Sequence, residues 1–311
     1  MINKNSKIFV AGHKGLIGSA ILRKLKFLNY KKIFTKSKKE LDLRNQNKVM
    51  KYFEKIRPDA VILAAAKVGG IEVNNKLRGE FIYDNLAIQN SVIHASYIHG
   101  VKNLIFLGSS CIYPKLSKQP IKEKYLLSGY LEKTNEPYAI SKIAGISLCE
   151  SYNKQYKLNY KCLMPCNAYG INDNYDPVGS HFFPALIKKI VDAIRYRKEE
   201  IDIWGNGKPL RELIYSEDVA DACIFFLKKK TSETLINIGT GKDKSITEYA
   251  NIIMKHLGVN FKINYKKDKP NGTMRKVLDV TLAKRYGWSY KTPLKKGLAI
   301  TINDYLKKNL S

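Results

Sequence analysis

A tyrosine and a lysine with the spacing Y-x-x-x-K are the residues in this sequence best suited to proton transfer. Tyr138 and Lys142 lie on one face of any helix that contains them, and Pro137 is a suitable first residue for such a helix. A nearby ammonium stabilises a phenolate, so we expect it to lower the pKa of Tyr138 toward the working pH. A phenol tuned in this way can donate its proton to a carbonyl oxygen while a hydride reaches the carbonyl carbon.

A second reactive stretch, GSSCIYP at 108–114, follows a short apolar run. Ser109 or Ser110 could hydrogen-bond the same carbonyl oxygen. The Cys111 thiolate could remove a proton from a carbon next to the carbonyl, where the resulting enolate is stabilised. Inverting that carbon requires an acid on its opposite face, and His181 is a candidate because imidazole titrates near neutral pH. The alternatives are a small buried apolar role for Cys111 and a solvated ring at a helix N-terminus for His181.

Three glycines form a third motif. Gly12, Gly15 and Gly18 have the spacing G-x-x-G-x-x-G, between an apolar run and an amphipathic segment. Glycines let the backbone turn tightly and approach a pyrophosphate, whose charge lies against the N-terminus of the following helix. This context predicts a dinucleotide-binding loop.

The identity of the dinucleotide depends on the charges that follow the loop. About 20 residues on, an NAD site would have an acidic residue that binds the ribose hydroxyls. The sequence has Lys36-Ser37-Lys38-Lys39 at this place, and Lys14 lies within the loop itself. Lysines attract a 2′-phosphate, so NADP is predicted. The alternative is that these are ordinary surface lysines of a lysine-rich chain.

The elements that must position these residues alternate between strands and helices. Apolar runs predict strands at 7–11, 31–36, 60–65, 103–108 and 159–165. Segments with helical spacing of apolar residues lie between them at 16–29, 45–56 and 84–99. This alternation predicts an α/β fold of the Rossmann type, a doubly wound parallel sheet with helices on both faces.

The regular alternation of strands and helices ends after residue 165. We therefore expect an NADP-binding Rossmann domain over 1–165, rejoined by about 212–240. Residues 166–211 and 241–311 would form a smaller mixed α/β C-terminal domain that binds the substrate.

Composition narrows the function class. The 311 residues carry a formal net charge of +28, but the basic residues are scattered, whereas nucleic-acid binders cluster them, so we expect no nucleic-acid partner. No run approaches the length of a membrane span, and no secretory segment precedes the first strand, so we expect a cytoplasmic protein without a membrane partner. The five cysteines include no C-x-x-C pair, which favours reduced thiols and no metal site.

The motifs together resemble the short-chain dehydrogenase/reductase superfamily in its extended, sugar-nucleotide-modifying branch. Longer stretches resemble the GDP-L-fucose synthase family of that branch. They run from residue 11 to 280 and include AGHKGLIGSA, AAAKVGGI, FLGSSCIYPK, NEPYAISKIAGISLCESYN, SHFFPAL, WGNGKPLRE and RKVLDV.

The resemblance implies an NADPH-dependent enzyme that epimerises and reduces GDP-4-keto-6-deoxy-D-mannose. Ser109, Tyr138 and Lys142 would be the reductase triad. Cys111 and His181 would be the base and acid for epimerisation at C3 and C5, the carbons that flank the C4 ketone. The resemblance also implies a homodimer formed through helices.

The family's binding residues carry over to positions throughout this chain. The cofactor contacts would be Gly12, His13, Lys14, Gly15, Leu16, Ile17, Gly18, Lys38, Leu107, Gly108, Ser109, Ser110, Lys142, Pro165, Cys166, Asn167, Ala168 and His181. The nucleotide-sugar contacts would be Lys189, Trp204, Arg211 and Asp279. Arg211 could pair bidentately with the pyrophosphate, and Trp204 offers a flat apolar face. The alternatives are ordinary domain packing for Trp204 and a surface ion pair for Asp279.

Departures from the family pattern leave other interpretations of the substrate and activity open. Lys14, Lys38 and Lys189 stand where the family has arginine, and lysine lacks the planar fork of arginine. The loop at 166–177 is divergent and close in sequence to His181. A C4 reductase of a GDP-4-keto-heptose, with or without epimerisation, is therefore an alternative. More distant alternatives are an epimerase or dehydratase with tightly held NAD and a non-enzymatic NADP-sensing Rossmann protein.

Overall fold

The computed structural model describes residues 2–176, 179–268 and 272–309. In chain order the strands are β1 (Lys7–Ala11), β2 (Lys32–Phe34), β3 (Ala60–Leu63), β4 (Asn103–Leu107), β5 (Asn159–Pro165), β6 (Asn167–Tyr169), β7 (Glu200–Trp204), β8 (Leu210–Tyr215), β9 (Leu235–Ile238), β10 (Asp243–Ser245), β11 (Lys262–Lys266) and β12 (Arg275–Lys276). The helices are α1 (Leu16–Phe27), α2 (Gln46–Ile56), α3 (Ile71–Lys76), α4 (Arg78–Ile98), α5 (Glu136–Tyr156), α6 (Phe182–Arg195), α7 (Ser216–Lys228), α8 (Ile246–His256), α9 (Thr281–Arg285) and α10 (Leu294–Asn309).

Six parallel strands form the larger sheet, in the order β2-β1-β3-β4-β5-β9. Its central strands are apolar and buried along their length because helices cover both faces. In these layers α1 packs against α7, and α4 packs against α2 and α5. The predicted α/β fold with a doubly wound parallel sheet is confirmed, and each of the five predicted strands lies in this sheet.

The strands of the larger sheet bring the candidate site residues to one edge. β1 leads into the glycine loop, β4 into Ser109 and Cys111, and β5 into 165–168. Because the carboxyl ends of parallel strands share an edge, these loops lie side by side. The order of strands reverses between β1 and β3, which is where ligands bind in sheets of this kind.

A second apolar core lies beyond that edge. β8 pairs with β6, β10 and β12, and β7 pairs separately with β11. The core contains Phe183 and Ile187 of α6, Ile253 of α8 and Ile302 of α10.

Segments from the second half of the chain also contribute to the core of the larger sheet. α7 and β9 contribute to the core of the larger sheet, as do Leu278 and Trp288, which come from the segment expected in the smaller domain. The expected domain ranges also include 1, 177–178, 269–271 and 310–311, which lie outside the described residues. Among the helices that the structure describes, none combines the length and the apolar character that crossing a bilayer requires.

Candidate active site

Ser109 and Cys111 occupy a tight turn at the end of β4. Gly108 starts this turn, and a Cβ there would lie 2.2 Å from the side chain of Met164. Ser109 caps a short 3₁₀ turn over Ser110–Ile112, and its Oγ accepts a hydrogen bond from the backbone N–H of Cys111 at 3.3 Å. Ser110 is buried, and Ser109 is the serine that hydrogen-bonds Tyr138. The structure thus decides between the two serines.

Tyr138 lies on the first turn of α5 and is buried. Burial raises the pKa of its phenol, the nearby Cys111 raises it further, and the hydrogen bond with Ser109 offsets only part of this rise. The expected lowering by Lys142 is therefore wrong for the protein without cofactor. The phenol stays protonated, which is the form that donates a proton to a carbonyl oxygen.

Lys142 is the residue that we expected to stabilise a phenolate at Tyr138. It is buried, donates to the Leu107 carbonyl oxygen at 2.9 Å and lies 5.8 Å from the centroid of the Tyr138 ring. Burial lowers the pKa of Lys142 to about 7. A lysine with this pKa is only partly protonated near pH 7 and stabilises a phenolate less than a fully charged lysine would.

Cys111 is the partly exposed thiol, whereas the other four cysteines are buried. The Asn135 side-chain amide donates to Cys111 Sγ at 3.2 Å, and Lys276 Nζ lies 4.0 Å from the same sulfur. Arg211 is close enough to interact with Cys111 electrostatically. Two cations and an amide donor would stabilise negative charge on this sulfur.

Asn135 and Lys276 are the residues of this cluster that the sequence reasoning missed. Both lie inside stretches that carry the family resemblance, NEPY and RKVLDV. Nothing in the sequence distinguished Lys276 from the many other lysines, because its contact spans 165 positions of the chain.

His181 is the N-cap residue of α6, and the residue as a whole is exposed at the protein surface. Its imidazole nevertheless lies among protein atoms, and this desolvation lowers the pKa of the imidazole. Gly179, two residues earlier, accepts a hydrogen bond from the backbone N–H of Gly70 at 3.0 Å. This bond places the loop of His181 beside the loop that follows β3. No hydrogen bond joins His181 to Cys111 among the residues that the structure describes.

The glycine loop forms a cradle that side chains would fill. Gly12 has φ +84°, and a Cβ there would lie 2.6 Å from the Ala65 amide nitrogen. A Cβ at Gly18 would lie 2.0 Å from the Gly12 carbonyl oxygen. Helix α1 starts after Gly15 with no side-chain cap and no acidic residue in its first turn, so its N–H groups face an anion site. These features fit a dinucleotide pyrophosphate.

Exposed lysines surround the expected 2′-phosphate position. Glu40 is held by Ser37 and pairs with Lys36 at 3.1 Å, and these hydrogen bonds lower its pKa to about 2. Lys14 and Lys38 are exposed, and among the described residues neither has an acidic partner within 4.0 Å. Two cations therefore stay available for a phosphate, which fits NADP.

The remaining expected cofactor residues lie around the same edge. His13, Leu16 and Ile17 belong to the glycine loop and the start of α1. Pro165 to Ala168 join β5 to β6, where Cys166 N–H donates to the Ile238 carbonyl oxygen at 3.0 Å.

Of the expected nucleotide-sugar residues, Lys189 and Trp204 lie together, whereas Arg211 and Asp279 lie apart from them. Lys189 Nζ is 5.6 Å from the centroid of the Trp204 ring, and burial lowers the pKa of Lys189. Arg211 is instead near Cys111. The Asp279 carboxylate accepts from Thr281 N–H at 2.8 Å. Burial alone would raise the pKa of Asp279, but this hydrogen bonding and nearby lysines lower it.

Comparison with known proteins gives consistent matches along the chain. Residues 8–239 match the family model described as NAD dependent epimerase/dehydratase family. The chain is 47% identical over 307 residues to GDP-L-fucose synthase 1 of Arabidopsis thaliana, covering 99% of this chain and 95% of the relative. It is 44% identical over 310 residues to GDP-L-fucose synthase of Escherichia coli K12, covering 97% of each. A solved structure of a GDP-mannoheptose C4 reductase from Campylobacter jejuni with NADP bound is similar, with a TM-score of 0.89, 36% identity, and 98% and 99% of the two chains covered.

Proposed function

This chain belongs to the NAD dependent epimerase/dehydratase family, and from this membership we propose that it is an NADPH-dependent 3,5-epimerase and 4-reductase. Its substrate would be GDP-4-keto-6-deoxy-D-mannose and its product GDP-L-fucose. Relatives that carry the name GDP-L-fucose synthase support this over nearly the whole chain. The observation that carries the proposal is the meeting of Ser109, Cys111 and the protonated Tyr138 at the end of β4.

Reduction uses the hydroxyls of Ser109 and Tyr138. When bound, NADPH supplies the hydride that reaches C4. Ser109 and Tyr138 hold the carbonyl oxygen, and Tyr138 donates its proton as negative charge develops there. Lys142 lies near Tyr138 and contributes to binding the cofactor.

Epimerisation uses the same carbonyl, whose C3 and C5 neighbours it acidifies. The Cys111 thiolate removes a proton from one of these carbons, and the charge moves to the oxygen held by Ser109 and Tyr138. His181 then returns a proton on the opposite face. Arg211 pairs with the pyrophosphate, and Lys189 and Trp204 hold the nucleotide.

The test is turnover of GDP-4-keto-6-deoxy-D-mannose by the purified protein. We expect loss of NADPH absorbance and a product that NMR identifies as GDP-L-fucose. No NADPH oxidation with this sugar would overturn the proposed substrate.

A GDP-4-keto-heptose is the second candidate substrate. The similarity to the GDP-mannoheptose C4 reductase supports it, as does the divergent loop before His181. The same NMR assay with both sugars separates the two, because the natural substrate should give the higher kcat/KM. Reduction without deuterium uptake at C3 and C5 in D2O would indicate a reductase alone.

The proposal includes a cytoplasmic homodimer that contacts neither membranes nor nucleic acid. Large apolar side chains on α4 and α5 support the dimer, because Tyr83, Ile98 and Ile140 are 69%, 49% and 43% exposed. A second copy of the chain would remove this surface from water.

A further inference from the structure

Glu212 on β8 is a fully buried carboxylate to which the proposed mechanism assigns no role. Its Oε1 accepts from the backbone N–H groups of Thr240 at 2.5 Å and Gly241 at 2.6 Å. Its Oε2 accepts from Leu278 N–H at 2.7 Å. Among the described residues, no cation lies within ion-pair distance of this carboxylate. The backbone N–H groups therefore hold this carboxyl group in place.

The backbone partners of Glu212 are all hydrogen-bond donors. The two carboxyl oxygens accept all three of these N–H groups, which ties Glu212 to each of the segments that carry them. Burial raises the pKa of Glu212, and the hydrogen bonds from Leu278, Gly241 and Thr240 offset only part of this rise. A Cβ at Gly239 would lie 2.3 Å from Oε1, so the turn after β9 fits closely around this oxygen.

These hydrogen bonds join three segments of the chain. Thr240 and Gly241 follow β9 of the larger sheet, and Glu212 itself lies on β8 of the smaller one. Leu278 belongs to the segment that starts with β12, which pairs with β8 at Lys276 and Arg211. The carboxylate therefore fixes the segment that carries Lys276.

Lys276 and Arg211 are the cations beside Cys111. Arg211 precedes Glu212 on β8, and Lys276 lies two residues before Leu278. A shift of either segment would change the distance from these cations to the sulfur. Coulomb energy varies inversely with that distance, so small shifts change the stability of a thiolate.

We propose that Glu212 is a positioning residue that holds Lys276 and Arg211 against Cys111 and so keeps this thiol reactive. The value of this arrangement to catalysis rests on the proposed function, in which Cys111 is the base. The reactivity of Cys111 does not rest on the proposed function, because it can be measured without any sugar.

The experiment is alkylation of Cys111 by iodoacetamide in the full-length protein, followed by mass spectrometry. The other four cysteines are buried, so Cys111 should react first. We expect Glu212→Gln to slow alkylation by about fivefold at neutral pH, and Lys276→Met to do the same. The pH profile of the rate should move to higher pH in both variants. The titratable or charged groups that face the sulfur are Tyr138, Arg211 and Lys276. Tyr138 is unchanged in both variants.

A matched control and a double variant separate positioning from general destabilisation. Asp218 is also buried and accepts two backbone N–H groups, from Lys291 and Thr292, away from Cys111. Asp218→Asn should leave the alkylation rate unchanged, even if it lowers the melting temperature. The alkylation rate of the double variant Glu212→Gln/Lys276→Met should be at most about twofold lower than that of Lys276→Met. Any such remaining difference would be the effect of Glu212 through Arg211.

Several results would overturn the proposal. One is an alkylation rate in Glu212→Gln equal to that of the native protein, and another is a rate in Asp218→Asn that falls as much as in Glu212→Gln. The third is a double variant whose rate falls by the product of the two single effects. If Glu212→Gln does not fold, Glu212→Asp keeps the charge but shortens its reach, and native kinetics in that variant would equally exclude the positioning role. Absence of sugar turnover with the expected alkylation pattern would count against the proposed function alone.

Discussion

The Tyr138 phenol and the Cys111 backbone N–H both hydrogen-bond Ser109, yet the surroundings of the phenol and of the Cys111 thiol suit opposite tasks. Tyr138 is buried, and a neighbouring thiolate raises its pKa further. Cys111 is partly exposed and has an amide and cations beside its sulfur. Negative charge on the Cys111 sulfur would therefore help to keep the phenol protonated, which is the form that donates a proton.

Replacing Cys111 should abolish proton exchange. We expect Cys111→Ser to lower deuterium incorporation at C3 and C5 in D2O by about 10²- to 10⁴-fold, because a hydroxyl is a much weaker base. NMR of the recovered sugar measures this. Tyr138→Phe is the reciprocal variant and should lose NADPH oxidation at least about 100-fold while exchange falls much less. Undiminished exchange in Cys111→Ser would exclude the thiol as the base.

Lys142 should make the stability of the protein depend on pH. Its pKa is lowered from 10.5 to about 7 in the folded protein, so its charged form destabilises the fold at and below pH 7. This cost disappears as pH rises through about 7 toward 10.5. The free energy of unfolding of the native protein, relative to Lys142→Met, should therefore rise by about 3 kcal/mol between pH 7 and 9.5.

Urea unfolding without cofactor measures this difference, in which other titrations cancel. Lys39→Met provides the control, because an exposed lysine has the same surroundings before and after unfolding. A difference between native and Lys142→Met that does not change with pH would contradict the desolvation of Lys142.

At the scale of elements, the turn between β1 and α1 determines cofactor binding. We expect Gly18→Ala to raise the Kd for NADPH by at least about tenfold, because its Cβ would lie 2.0 Å from the Gly12 carbonyl oxygen. Fluorescence titration measures the Kd. Gly79 in α4 has nothing within 4 Å of an added Cβ, so Gly79→Ala should bind normally and be about 0.5–1 kcal/mol more stable. Equal affinities for the two variants would contradict a close-fitting cradle.

The loop after β2 should select NADPH over NADH. We expect Lys38→Glu to lower kcat/KM for NADPH by at least about tenfold and to change that for NADH little, because a carboxylate repels the 2′-phosphate. Steady-state kinetics with both cofactors measures the ratio. Lys51→Glu, an exposed charge reversal on α2, should leave the ratio unchanged. Equal losses for both cofactors in Lys38→Glu would rule out recognition of the phosphate.

At the scale of the whole molecule, the proposed dimer would form through α4 and α5, whose exposed apolar side chains the described part of the chain does not cover. We expect the double variant Tyr83→Asp/Ile98→Asp to be a monomer by sedimentation velocity, because burying two carboxylates in an interface is costly. Leu116 is 91% exposed and lies outside these helices, so Leu116→Asp should remain dimeric. A dimer that persists in the double variant would place the interface elsewhere.

The fold and the principal site residues could be predicted because their signals are local. Strand and helix periods, the glycine spacing and Y-x-x-x-K each depend on residues close in sequence, and the structure places Gly12, Ser109, Cys111 and Tyr138 at one edge of the sheet. Asn135, Lys276 and Glu212 could not be predicted as parts of the site in this way. Their contacts to the site join segments distant along the chain, and each has a residue type found at many other positions.

The sequence by itself determined the parallel sheet, the dinucleotide loop and the residue types at the reacting centre, because these follow from periodicity and steric rules. Only the tertiary structure decided that Ser109 rather than Ser110 meets Tyr138, that Tyr138 stays protonated, and that cations from β8 and β12 lie beside Cys111. The physical reason is that burial and electrostatic partners set the protonation state, and both depend on segments far apart in the chain.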